Sequence, residues 1–328
     1  MAPTAAPRLT PTLVALMMLP PLLWAGNAVV GRLAADLISP LLLNLLRWLG
    51  AGLLLAPLGW RLFTDAESRA RIRAHWKYLA WLGLLGVGAF NALQYTGLRA
   101  TTPLNATLIL ASGPVWSLAI GAMFYGVAVR QVDVAGAALS LAGVLLVISG
   151  GSLERLARLQ LAPGDLLLLV ATIGWSVYTW LLARPPATLR PAGAREWNWA
   201  EFLLLQIVIG FGWAAAATAI QWAAAPDTLQ PTAWSPLLLG LLAYVMIGPS
   251  LVAYRCWGLG VSRAGPTLAA FFANLTPLFA ALMSLAILGD VPRWFHAAAF
   301  ALIVAGIVVT TRAGPVRAAP DLGRDRAD

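Results

Sequence analysis

Apolar residues in this chain run in long unbroken blocks, and polar residues gather in the gaps between them. Blocks at 13–31, 40–58, 78–98, 103–125, 132–148, 164–182, 200–220, 236–257, 266–288 and 294–311 each approach the roughly 20 apolar residues that a helix needs to cross a bilayer. They do not alternate, which excludes the two-residue period of a spanning β-barrel. The pattern predicts an all-α integral membrane protein of ten transmembrane helices, numbered 1 to 10 along the chain.

The blocks also repeat. At an offset of 163 positions, Gly97 meets Gly260, Pro103 meets Pro266 and Pro114 meets Pro277. Gly126 then meets Gly289, Arg130 meets Arg293, and Ala142-Gly143 meets Ala305-Gly306. Two repeats of five helices follow, at 12–150 and 164–312, with a cytoplasmic tail at 313–328. Five is odd, so the second copy enters the membrane from the opposite side. Inverted repeats of this kind carry transporters, with the substrate site near the midplane between the halves.

Composition narrows the class further. Hydrophobic residues make up 60% of the 328 and charged residues 11%, too few charges to solvate a soluble protein of this size. The net charge of +9 does not indicate nucleic acid, because the basic residues lie in short loops and form no helix face. They are an orientation signal instead. Fifteen Lys or Arg fall in one set of loops and five in the other, with Arg47 and Arg255 inside spans. Both termini are therefore expected in the cytoplasm of a bacterial cell, with the chain in the inner membrane. One cysteine, Cys256, and two histidines, His75 and His296, leave no metal-ligand spacing. No metal, cofactor or enzymatic activity is expected.

Polar groups inside spans are costly unless they face the bundle interior or water. Helical spacing then nominates Trp24 and Asn27 on helix 1, and Asn91, Gln94 and Tyr95 on helix 3. Ser112 and Trp116 on helix 4 share a stripe with Asn105. Trp175 and Tyr178 follow on helix 6, Tyr254 and Trp257 on helix 8, and Phe271 and Asn274 on helix 9. These are the candidate substrate-binding residues. The alternative for any one amide is a hydrogen bond that only joins two helices. Tryptophans at span ends, such as Trp60, Trp76, Trp81, Trp197 and Trp294, fit an interfacial belt. Trp24, Trp116 and Trp175 sit deeper. Pro114 and Pro277 fall mid-helix at matching places and predict paired kinks that free carbonyls toward the site. Arg47 lies about 10 Å into helix 2 at 1.5 Å per residue. It is either an interhelical pin or an anchor for a substrate carboxylate. No acid lies deep in a span; Asp133, Asp165, Glu201 and Asp290 are at edges, which argues for uniport or exchange over proton coupling.

Several local patterns resemble the drug/metabolite transporter superfamily in its EamA-type branch. They are Leu23-Trp24-Ala25-Gly26-Asn27, Arg47, Ser112-Gly113-Pro114-Val115, Gly164-Asp165 and Gly174-Trp175-Ser176, with Leu275-Thr276-Pro277-Leu278 and Leu288-Gly289-Asp290 in the second half. Val127 and Asp290 stand where that family usually carries Glu. The resemblance implies a cavity lined by helices 1, 3, 4, 6, 8 and 9, with helices 5 and 10 peripheral, and export of small metabolites. A neutral, aromatic lining favours amino acids, aromatic ones first, and the aromatic amino-acid exporter branch. The competing expectation is efflux of lipophilic cations or drugs. The expected partners are a small-molecule substrate and the lipid bilayer, with the protein a monomer.

Overall fold

A computed structural model describes residues 10–34, 36–158, 160–189, 195–224, 232–288 and 293–312. Within them the architecture is all-helical. Nine helices are long and apolar enough to cross a membrane. The tenth predicted span is present too, as one continuous helical run over 76–99 made of Trp76–Gly83, Leu84–Ala89 and Phe90–Arg99. Its polar face, with Asn91 and Gln94, sets it apart from the other nine. Asp290, Gly289 and the 313–328 tail lie outside the described residues.

Local chemistry sets where the spans begin. Span 2 (Pro40–Gly59) opens on proline behind a capping Ser39, and the first half of span 4 (Pro103–Ala111) behind Thr102. Span 6 (Pro163–Ala183) and the first part of span 8 (Pro236–Val245) also carry proline in their first turn. Proline suits that place because its missing N–H would have no helical partner there. Gly126 and Gly150 end span 4 and span 5 (Gln131–Ser149) in left-handed conformations, each with φ of 62°, which glycine adopts without steric cost. Broad apolar faces remain uncovered, including Leu53, Leu54, Leu166, Leu237 and Met123. In water such patches would drive association; in a bilayer they face lipid.

The two halves meet about a two-fold relation. Span 5 packs along span 10 (Trp294–Arg312). A Cβ on Gly136 would come within 2.8 Å of the Gly306 carbonyl, and one on Gly143 within 2.8 Å of the Ala299 carbonyl. Ala299 is Gly136 moved by 163 positions, and Gly306 is Gly143 moved likewise. Each contact is thus the other's symmetry mate, and the pairing runs antiparallel, as copies inserted in opposite directions require. The ends of these helices match as well. Asp133 Oδ2 accepts the Arg130 N–H at 3.1 Å, and His296 Nδ1 accepts the Arg293 N–H at 3.0 Å.

Two further irregularities come in matching pairs. Spans 4 and 9 are each divided. Pro103–Ala111 gives way to Gly113–Tyr125 at Ser112 (φ −72°, ψ −3°). Pro266–Ala273 gives way to Thr276–Leu288 after Asn274 (φ −67°, ψ −6°). Pro114 and Pro277 sit in the first turn of each second half, where they lose no helical bond. Spans 3 and 8 each contain a π-helical stretch, Leu84–Ala89 and Met246–Val252. A π turn widens the helix and leaves carbonyls short of partners, and it recurs at functional sites.

Candidate functional site

The paired π stretches position the centre of the molecule. The freed Gly86 carbonyl accepts the Tyr254 hydroxyl, and the Pro249 carbonyl accepts Trp24 Nε1 at 3.3 Å. Gly86 and Pro249 are again 163 positions apart. Each half therefore supplies one bare carbonyl, and each is covered by an aromatic donor.

Those donors belong to a continuous aromatic cluster. Trp24 lies 5.3 Å from Trp175 and 5.2 Å from Trp257, measured between ring centroids. Trp175 in turn lies 5.0 Å from Tyr178, 4.8 Å from Phe90 and 5.6 Å from Trp257. Tyr254 stands edge-on to Trp48 at 5.2 Å. Such edge and offset contacts hold aromatic rings in defined positions. Trp24 lies on the opening helix of the first repeat and Trp175 on that of the second, so the halves meet here through these rings.

Beside the rings lies a polar hub centred on Arg47, which is 1% exposed. Its Nε donates to Ser250 Oγ at 2.6 Å. Its Nη1 faces Asn91 Oδ1 at 3.2 Å, the Tyr95 hydroxyl at 3.4 Å and Asn27 Oδ1 at 3.5 Å. Asn27 Nδ2 donates to the Tyr95 hydroxyl at 3.1 Å. One guanidinium on span 2 thereby joins spans 1, 3 and 8, and each of these partners is neutral. Three buried polar atoms nearby in sequence or space have no partner: Asn44 Oδ1, Trp48 Nε1 and Trp257 Nε1. The Arg47 guanidinium covers the Trp48 ring at 5.0 Å.

The nominated residues separate into groups. Trp24, Trp175, Tyr178, Tyr254 and Trp257 converge in the aromatic cluster, and Asn27, Asn91 and Tyr95 converge on Arg47. Gln94 is half-buried on the same helix. Ser112 and Trp116 bond within span 4, Trp116 Nε1 to Ser112 Oγ at 3.0 Å and Ser112 Oγ to the Ile109 carbonyl at 2.5 Å. Phe271 is fully buried and packs on Gly136 of span 5. Asn274 Nδ2 donates to the Ala111 carbonyl at 3.2 Å and Ser140 Oγ at 2.9 Å. Those bonds join spans 9, 4 and 5, the interhelical alternative raised for any buried amide. Asn105 turns to Asp165 at 2.7 Å, and Thr101 bonds the same carboxylate. Trp48 and Phe90 are central but were not nominated. Trp48 could have been found, since it follows the one arginine deep in a span. Of the belt tryptophans, Trp60, Trp76, Trp81 and Trp294 are exposed, but Trp197 bonds Ser68 at 2.9 Å and stacks on Arg71.

No group of three or more His, Cys, Asp or Glu that could hold a metal ion occurs among the described residues. Among the described residues the centre offers aromatic faces, one cation, hydroxyls and neutral amides.

Comparison with known proteins agrees with a transport role. The chain is 28% identical over 302 residues to an uncharacterized transporter of Archaeoglobus fulgidus, covering 90% of this chain and 96% of the relative. It is 26% identical over 234 residues to the aromatic amino acid exporter YddG of Ancylobacter novellus, covering 70% and 74%. A probable terminal-alkyne amino-acid exporter of Streptantibioticus cattleyicolor is 28% identical over 242 residues, covering 71% and 72%. A solved crystal structure at 22% identity shares the fold with a TM-score of 0.68, over 92% of this chain and 96% of that one. The EamA-like transporter family model matches twice, at residues 12–149 and 162–312, and this membrane-spanning chain belongs to that family of transporters.

Proposed function

We propose that this transporter exports amino acids, aromatic ones by preference, or closely related small metabolites across the inner membrane. The observation that carries this reading is the ring cluster of Trp24, Trp175, Tyr178, Tyr254 and Trp257 at the junction of the halves. Flat apolar solutes gain offset and edge contacts in such surroundings beyond the area they bury. The exporters named among its relatives handle amino acids, which supports the same class. The two halves, built as inverted copies, support alternating access by rocking of one against the other. Spans 3 and 8 flex at their π stretches in this mechanism, and the divided spans 4 and 9 supply the second pair of joints. The basic-residue bias supports a cytoplasmic location for both termini. The fifteen-to-five count includes arginines beyond the described residues.

The absence of a carboxylate from the Arg47 hub and ring cluster, among the described residues, favours uniport or exchange over proton coupling. It also weighs against efflux of lipophilic cations, since Arg47 would repel them. Reconstitution into liposomes with labelled phenylalanine, threonine and lysine tests the proposal. Saturable flux is expected for phenylalanine, less for threonine and little for lysine. No saturable flux for any of the three would overturn it.

A further inference from the structure

Among the described residues, Arg47 is a buried ion without a counterion. An ionised group taken out of water loses several kcal/mol of solvation unless charge partners replace it. The other inward-facing arginines obey this. Arg130 pairs with Asp133 at 2.7 Å and Arg195 with Glu201 at 2.8 Å. Arg47 is less exposed than either and has four neutral partners, Ser250, Asn91, Asn27 and Tyr95. Neutral acceptors hold a guanidinium in place but leave its charge uncancelled.

The surrounding hydrogen-bond balance leans the same way. Trp48 and Trp257 each bury an indole N–H without an acceptor, and an indole nitrogen can only donate. The two bare backbone carbonyls of the centre are already covered, by Tyr254 and Trp24. Among the described residues the unpartnered buried acceptors are both neutral, Asn44 Oδ1 and, on span 4, the Ser117 hydroxyl. The site therefore has positive charge and N–H donors to spare and, among the described residues, no anionic group to receive an ammonium.

We propose that Arg47 receives the carboxylate of the transported solute, with the solute's apolar part among the rings of Trp24, Trp175 and Trp257. Carboxylate recognition, rather than amine recognition, then selects the substrates: carboxylates are accepted with or without an α-amino group, and amines without a carboxylate are refused. The guanidinium fork suits a planar carboxylate in a way that a lysine ammonium does not. The inference builds on the export reading for the kind of solute, but it makes a separate demand on charge.

Thermal-shift titration of the purified full chain in detergent tests it with four probes. These are phenylalanine, 3-phenylpropanoate, phenethylamine and octanoate. Ligand stabilisation follows concentration over affinity, so each probe yields an apparent affinity. Phenylalanine and 3-phenylpropanoate are expected to stabilise the protein, and phenethylamine to bind at least tenfold more weakly. Arg47→Gln should weaken carboxylate binding tenfold or more, and Arg47→Lys should recover part of that loss. Equal binding of phenethylamine and 3-phenylpropanoate by the unaltered protein would overturn the proposal without recourse to any variant. So would a folded Arg47→Gln protein with unchanged carboxylate affinity, or no response to any carboxylate. Octanoate binding that depends on Arg47, with no flux of phenylalanine, would uphold the carboxylate site while defeating the aromatic amino-acid reading.

Discussion

Two arginines hold this molecule together in opposite ways. Arg195 lies at one membrane face, where the segment before span 7 (Trp199–Ala224) meets the helix Ala66–Ala74 between spans 2 and 3. Its Nη1 forks onto Glu201 at 2.8 and 2.9 Å, its Nη2 reaches Ser68 Oγ at 3.3 Å, and Asp65 stands 4.0 Å away. The neighbouring Arg71 donates to the Arg195 carbonyl at 2.8 Å and stacks on Trp197. Charge is met by charge, and the cluster serves as a clamp. Arg47 sits in the interior and, among the described residues, has neutral partners only. The difference teaches that a buried cation is structural where the fold supplies its anion, and open to a ligand where it does not.

Substitution of the two cations by an apolar side chain separates these roles most sharply. Arg47→Met is expected to abolish measurable flux in liposomes, a loss of tenfold or more, while the melting temperature in detergent stays level or rises. Removing an ion that lacks a counterion relieves its desolvation cost, which offsets the hydrogen bonds lost with it. A large drop in melting temperature with flux per folded molecule retained would make Arg47 a pin like Arg195. Glu201→Ala should do the reverse. Glu201 is 1% exposed while Arg195 is about a quarter exposed, so losing the pair should cost roughly 2 kcal/mol, below the full value for a sealed pair. Denaturation in detergent would show it, with transport by the folded fraction unchanged.

Single hydrogen bonds should discriminate less. Ser68→Ala removes the acceptor shared by Arg195 and Trp197 and is expected to cost about 1 kcal/mol of stability. Ser250→Ala removes the shortest bond to Arg47; it should raise KM for a carboxylate solute severalfold with a smaller stability change. Equal effects on melting in both variants, without a KM change in the second, would blur the contrast.

The smallest expected effect is a pH dependence confined to the clamp. Hydrogen bonds from Ser68, aided by Arg195 and Arg71, hold the Asp65 carboxyl below its ordinary value of 3.8. A depressed folded-state pKa contributes stability above the unfolded value, lost as pH falls through the folded one. The clamp should therefore loosen only below about pH 4. Asp65→Asn keeps an N-capping side chain and should flatten that acid limb in melting curves, leaving the neutral range unaltered.

Much of this was legible in the chain. Trp24 and Trp175 were separable from interfacial tryptophans by depth, because a belt residue must lie near a span end, whereas Tyr254 and Trp257, close to the end of block 236–257, were reached by helical spacing. The matching prolines and glycines announced the two-fold relation that Gly136 and Gly143 then display in contact. The π stretches of spans 3 and 8 were not legible, since Leu84–Ala89 and Met246–Val252 show no residue pattern that distinguishes a widened turn from an ordinary one. Nor could the fate of each amide be read. Asn91 and Asn274 look alike in sequence, yet one faces Arg47 and the other ties Ala111 to Ser140.

What the sequence determined by itself was local or periodic. In lipid every backbone group must be satisfied within its own helix, so long apolar blocks fix the spans, prolines and glycines fix their ends, and an odd-numbered repeat fixes inversion. Only the tertiary structure decided what each inward face meets. Helical periodicity tells which side of a span is polar, but the partner across the gap comes from another span, 20 to 203 positions away for Arg47. Arg47 and Ser250 are 203 positions apart. That the cation deep in span 2 meets four neutral groups and no acid is a property of how the ten helices pack, because electrostatic compensation acts through space and not along the chain.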